Sequence, residues 1–245
     1  MIFPVHLILF ILCISPIDSI PLTTACHTIH VYQDAIFCAP FTGNSLFILD
    51  NQGKMQPITF TDNANYRIQN IAVTAFSCYL NNGRSIEKYY LNSGIRETVF
   101  KANDITSFII TQNEEVILSE RQKREVIFLD FMYTPRFIME EVTVKDMFYA
   151  DTIINLLLQN LILRCDEYGN VLKEIPVLTV ARRIFAYGNN IILFSPGGTH
   201  LYNIGDDVQK IELLHGVRDI AEHNNHIVIL DNHGTTLFVY RKSDF

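Results

Sequence analysis

Apolar residues in this chain come in short bursts that stop at tight turns. "SLFIL", "IEKYYL", "VIFLDF", "LILRC", "HLYNI" and "TLFVY" are each five or six residues long, and Asn, Asp or Gly stand close by, as in "LFILDNQGK" and "LILRCDEYGN". Such bursts, rich in β-branched and aromatic residues, predict strands joined by hairpin turns. No run of a dozen residues keeps apolar positions at i, i+3, i+4 and i+7 without a turn intervening, so helices are not predicted.

The bursts recur. Six runs open with a polar residue followed by an apolar one: "TIHVY" at Thr28, "NIAV" at Asn70, "SFII" at Ser107, "DMFY" at Asp146, "RIFAY" at Arg183 and "DIAE" at Asp219, spaced 36 to 42 residues apart. About eight residues after each comes a second strand ("AIFCA", "FSCYL", "EVILS", "IINLLL", "IILFS", "IVILD"), and a third follows after a turn. Five of the six units then carry a fourth, such as "VLKEIP" or "VQKIELL". A four-stranded meander cannot bury both of its faces alone, but six arranged radially can, since each packs on its neighbours. The expectation is an all-β, six-bladed β-propeller of four-stranded antiparallel blades. The sixth unit runs out after "TLFVYRKSDF", and pairing residues 20–26 with residues 237–240 would close the ring.

The outer hairpin "CDEYGNVLKEI" and the repeats around it resemble those of six-bladed propellers of the NHL and related bacterial exported type. With no Trp in the chain, the Trp-Asp signature of WD40 repeats is missing. The resemblance implies the propeller fold; a complete ring without a convincing catalytic set points to a non-catalytic binding or scaffold role. A comparison with six-bladed lactonases and arylesterases implies the alternative, a metal-dependent hydrolase with calcium at the mouth of the central channel.

The opening "MIFPVHLILFILCISPIDS" resembles a signal peptide, with an apolar core over residues 7–14 and small Ser19 near the cleavage point. The expected organisation is a leader over residues 1–19 and one propeller domain over residues 20–245, exported to the periplasm, cell surface or medium. Lipid anchoring at Cys26 in "TTAC" is the weaker form of the same reading, because Thr23 stands where an aliphatic residue would be wanted. No later segment is apolar enough to span a membrane; "INLLLQNLILRC" is broken by Gln159 and Asn160.

Half the residues (49%) are apolar and 18% are charged, which excludes a disordered chain. A net charge of −7 disfavours a nucleic-acid partner, which would call for a basic face. The one basic cluster, "RQKRE", reads as a solvated hairpin turn. Cys26, Cys38, Cys78 and Cys165 show no zinc-like spacing, and buried free thiols are expected of them, with a Cys38–Cys78 disulfide as the alternative in an exported protein.

In a propeller the innermost strands line a channel, so Thr28, Asn70, Ser107, Asp146, Arg183 and Asp219 are expected at one height around it. They are the candidate site for a small polar ligand, or else a solvated ring in which Arg183 offsets the two carboxylates. A cation in the ring would repel calcium, so neither a metal nor another cofactor is expected. The pairs His27/His30 and His223/His226 fall at opposite ends of neighbouring inner strands, too far apart for a zinc site. No G-x-S-x-G elbow is present, and glycine-rich "SPGGTH" reads as a hairpin. No catalytic residues are therefore expected. Tyr89, Tyr90, Tyr133 and Phe137 are candidates for a protein-partner surface or for packing between blades.

Overall fold

The computed structural model describes residues 11–33, 35–49, 54–177, 180–188, 190–195, 198–203, 208–213, 215–223 and 225–245. Six antiparallel sheets form a ring. The first blade is Thr28–Tyr32, Ala35–Ala39, Ser45–Leu49 and Met55–Thr59. The second is Asn70–Val73, Ser77–Asn81, Ser85–Tyr90 and Arg96–Lys101, and the third is Ile105–Ile110, Val116–Glu120, Glu125–Leu129 and Pro135–Met139. The fourth is Asp146–Ala150, Ile153–Leu157, Leu161–Cys165 and Val171–Pro176. The fifth is Arg183–Tyr187, Asn190–Ser195, Gly198–Asn203 and Val208–Leu213; the sixth contributes Val217–His223, His226–Asp231 and Thr236–Arg241.

Burial explains why the second strand of each unit reads as a nearly continuous apolar run. Ser77–Asn81 and Val116–Glu120 are buried at every position, because successive side chains face two different neighbouring blades. Cys78 and Leu80 pack with Phe37 and Leu46 of the first blade, whereas Tyr79 between them packs with Val116 and Leu118 of the third. The core is accordingly divided into six apolar clusters, one in each gap between blades. The outer strands are mostly exposed, as in Pro135–Met139 and Val171–Pro176.

Two N-terminal strands complete the ring differently from the sequence reading. Asp18–Pro21 joins the sixth sheet, with Asp18 opposite Val239 and Ile20 opposite Leu237, so the strand overlaps the expected residues 20–26 only at Ile20 and Pro21. Residues 22–26 leave the ladder and are held by two backbone bonds, from Leu22 N–H to the Thr235 carbonyl (2.8 Å) and from Cys26 N–H to the Gly234 carbonyl (2.7 Å). Ile11–Ile14, read as part of a leader's apolar core, lies along Val208–Leu213 as a parallel fifth strand of the fifth sheet. An apolar, β-branched run satisfies either description, so the sequence pattern does not distinguish them.

The "RQKRE" cluster forms the expected turn between strands of the third blade. Arg124 adopts φ 60°, and Lys123 pairs with Glu120 at 3.2 Å. Pro196 and Gly197 of "SPGGTH" lie outside the described residues; Ser195 and Gly198 on either side of them pair across a hairpin.

Candidate functional site

The inner strands of the six blades line one channel of about 710 Å³, and all six ring residues named from the sequence line it. Each is at or near the start of its strand, so the blades place them at corresponding depths. They are not equivalent. Around the fourth, fifth, sixth and first blades they form one bonded network. Arg183 reaches Asp146 with its Nη1 at 3.4 Å from Oδ1, and pairs with Asp219 through Nη2. Asp219 Oδ2 accepts from the Thr28 hydroxyl (2.7 Å) and from the Ile29 N–H (2.8 Å), and its Oδ1 accepts from the Ile220 N–H (2.9 Å).

Asp146 repeats part of that pattern, its Oδ2 accepting the Ile184 N–H at 3.0 Å. Each aspartate thus bonds the second residue of the next blade's inner strand. These carboxylates join blade to blade in addition to lining the channel. Asp146 and Asp219 are 4% and 2% exposed. Burial pushes the Asp146 carboxyl up to about 6, against the pull of Arg183 and the Ile184 N–H. Burial alone would lower the Arg183 guanidinium, but the two carboxylates more than offset it and hold it above its ordinary range.

Across the channel the ring is less committed. Asn70 Oδ1 is buried without a hydrogen-bond partner, and so is Arg183 Nε within the network. Ser107, which also lines the channel, is buried. An unpaired buried acceptor costs about 1–3 kcal/mol, so these atoms are where a polar ligand would gain most from binding.

The same channel has a second mouth, at the far ends of the inner strands, which the sequence reading did not single out. Tyr32, Thr74, Gln112, Glu114, Asp151, Tyr187 and Glu222 line it together with Lys242 from the C-terminal turn Lys242–Asp244. Lys242 forms an ion pair with Glu222, and the Tyr187 hydroxyl donates to the Lys242 carbonyl at 3.4 Å. The only sequence signal for this mouth is position, three to seven residues beyond each ring residue.

The histidines do not converge. His223 and His226 face each other across a hairpin, while His27 packs edge-on against Phe41 and lies 3.3 Å from Arg218. Burial lowers His30 to about 4, which keeps it neutral. Among the described residues no group of three His, Cys, Asp or Glu side chains is placed to hold a metal ion. The partner-surface aromatics are largely spent on packing. Tyr89 is buried between the first two blades, and Phe137, though partly exposed, meets Phe128 at a tilt with ring centroids 5.3 Å apart. Tyr133 accepts from Lys88 Nζ at 2.9 Å, where the cation lies within 6 Å of the Tyr79, Tyr90 and Tyr133 rings. That buried lysine, 8% exposed, holds the second blade to the third.

No family model matches the chain, and no curated protein matches it. Solved structures do. A streptogramin B lyase structure is 12% identical with a TM-score of 0.65, over 91% of this chain and 86% of that one. A catalytically inactive virginiamycin B lyase from Staphylococcus aureus with quinupristin is 12% identical with a TM-score of 0.66, over 91% and 87%. The WD40 β-propeller domain of Doa1 is 8% identical with a TM-score of 0.65, over 94% and 98%. At these identities the likeness establishes the propeller fold and nothing finer. It spans an antibiotic lyase and a WD40 domain, so activity has to be argued from the site.

Proposed function

We propose that this chain is an exported propeller acting as a non-catalytic scaffold for a protein partner, with room in its channel for a small polar ligand. The observation that carries the reading is Arg183 lying between Asp146 and Asp219. A catalytic carboxylate with a raised pKa could serve as a general base, but both oxygens of Asp146 are already engaged, one by the guanidinium and one by a backbone N–H. The same arrangement counts against the calcium-dependent hydrolase. Calcium takes six to eight oxygen ligands, several of them carboxylate, and here the two ring carboxylates face a cation, leaving an amide and hydroxyls. The donor set does not fit the ion.

Export rests on the apolar leader; its removal after Ile17 would take Ile11–Ile14 from the edge of the fifth sheet and leave Asp18–Pro21 in the sixth. Among the described residues no helix is long and apolar enough to cross a membrane. Anchoring at Cys26 is disfavoured because processing there would remove Asp18–Pro21, the strand that completes the sixth sheet. The acidic balance continues to speak against nucleic acid.

The test combines crosslinked co-purification from native envelope and medium fractions with metal content and calcium titration calorimetry on the same protein. A reproducible protein partner retained in chelator supports the scaffold. Stoichiometric calcium, lost on chelation together with ester or lactone hydrolysis, would replace it with the hydrolase.

A further inference from the structure

The segment that leads from the closing strand into the first blade ends at a pair of thiols. Cys26 stands two residues before the inner strand Thr28–Tyr32, and Cys38 lies in the next strand, opposite Ile29. Both belong to the apolar cluster between the sixth and first blades, with Leu230 and Leu237, and they are 3% and 0% exposed. The Cys26 thiol donates to the Thr24 carbonyl at 3.4 Å, and the N–H of the next residue, His27, bonds the carbonyl of Ala39, the neighbour of Cys38, at 2.7 Å. Cys78 belongs instead to the cluster between the first and second blades, and Cys165 to that between the third and fourth. The sequence alternative of Cys38 with Cys78 compared equivalent strands of adjacent blades. The fold gives Cys38 a different neighbour, from outside the repeat.

We propose that Cys26 and Cys38 are a redox pair whose disulfide staples the ring-closing segment to the first blade. The place is one where a covalent link has work to do. Residues 22–26 have left the sheet ladder and are held by two backbone bonds, with Thr23 and Ala25 exposed. A segment held by so few backbone bonds opens locally at low cost, and that opening is the route by which an oxidant would reach both thiols. A crosslink there removes open states from the unfolded and partly open ensembles. The oxidant is a small-molecule or protein disulfide. The Cys26 thiolate attacks one of its sulfurs, breaking that S–S bond, forming a mixed disulfide and releasing one thiolate. The Cys38 thiolate then attacks the mixed disulfide at the Cys26 sulfur, forming the Cys26–Cys38 bond and releasing the second thiolate. The cysteine pair loses two electrons and two protons; the oxidant takes up both as two thiols.

The inference is independent of what the channel binds. The test refolds the purified full chain in a glutathione and glutathione-disulfide buffer, and in parallel in dithiothreitol. Free thiols are then blocked in denaturant and the peptides mapped without reduction. The expected result in the glutathione buffer is one crosslinked species joining the peptides that carry Cys26 and Cys38, with Cys78 and Cys165 blocked. Its thermal midpoint should be higher than that of the reduced protein by roughly 5–10 °C. That gap should vanish in Cys26→Ser and persist in Cys78→Ser. Full blocking of Cys26 and Cys38 in the glutathione buffer, or a bridge from either to another cysteine, overturns the proposal. The mapping is done on the unsubstituted chain, so a poorly folding variant cannot obscure the result.

Discussion

Asp146 sets burial against a neighbouring cation, and stability as a function of pH measures which prevails. Its carboxyl is raised from an ordinary 3.8 to about 6, with burial the largest cause and Arg183 opposing it. In the unfolded chain the group titrates near its ordinary value. Between about pH 4 and pH 6 the folded state therefore holds more protons than the unfolded state, and stability falls as pH rises. A shift of about two units corresponds to about 3 kcal/mol, absent below the unfolded pKa and fully expressed above the folded one. Asparagine at this position keeps an acceptor for the Ile184 N–H and cannot ionise. Asp146→Asn should accordingly match the parent protein near pH 4 and exceed it by about 3 kcal/mol at neutral pH. Denaturant unfolding of both proteins across that range, compared as a difference, cancels the other titrating groups. A difference that is flat, or that favours the parent increasingly as pH rises, would mean that Arg183 overcomes burial and would refute the reasoning.

Arg183→Met leaves Asp146 and Asp219 without their cation and should cost about 3–5 kcal/mol in urea unfolding, part of it regained in acid as Asp146 takes up its proton. Gly234→Ala should lose more than about 1 kcal/mol by the same assay: Gly234 has φ +73°, and a Cβ there would sit 1.9 Å from the Cys26 carbonyl oxygen. Leu237→Ala, at a fully buried site opposite Ile20, should cost about 2–5 kcal/mol and show as faster amide exchange over residues 18–21. Lys88→Ala removes the cation from its three tyrosines and should lower stability by about 1–3 kcal/mol.

The blades were legible because each local signal agreed with the global one. "AIFCA", "SLFIL", "LILRC" and "VLKEIP" coincide with strands Ala35–Ala39, Ser45–Leu49, Leu161–Cys165 and Val171–Pro176. Runs buried on both faces have to be apolar throughout, and the turns have to be Asn, Asp or Gly. The ring residues could be read for the same reason, since a repeat fixes depth in the channel. What a repeat cannot convey is departure from itself. Arg183 bonds two carboxylates while Asn70 Oδ1 bonds none, although the pattern puts both at the same depth. Cys26 and Ile11–Ile14 lie outside the repeating unit, so no internal copy indicated where they dock. The Lys88 cage joins side chains from two blades that no spacing rule connects.

The strand that completes the sixth sheet is made early and used last. Asp18 is synthesised long before Val239, its partner across the ladder. The gaps between the first five blades can fill in order as the chain emerges, each from neighbours close in sequence. The gap between the sixth blade and the first must wait until Thr236–Arg241 has been made. Contacts of such long sequence separation form slowly. A nascent chain lacking Thr236–Arg241 would be an open wedge, with Ile29, Ile36 and Cys38 bared on one side and Val228 and Leu230 on the other. For this protein the hazard of misassembly is concentrated in that one seam, in the interval before the sixth blade emerges.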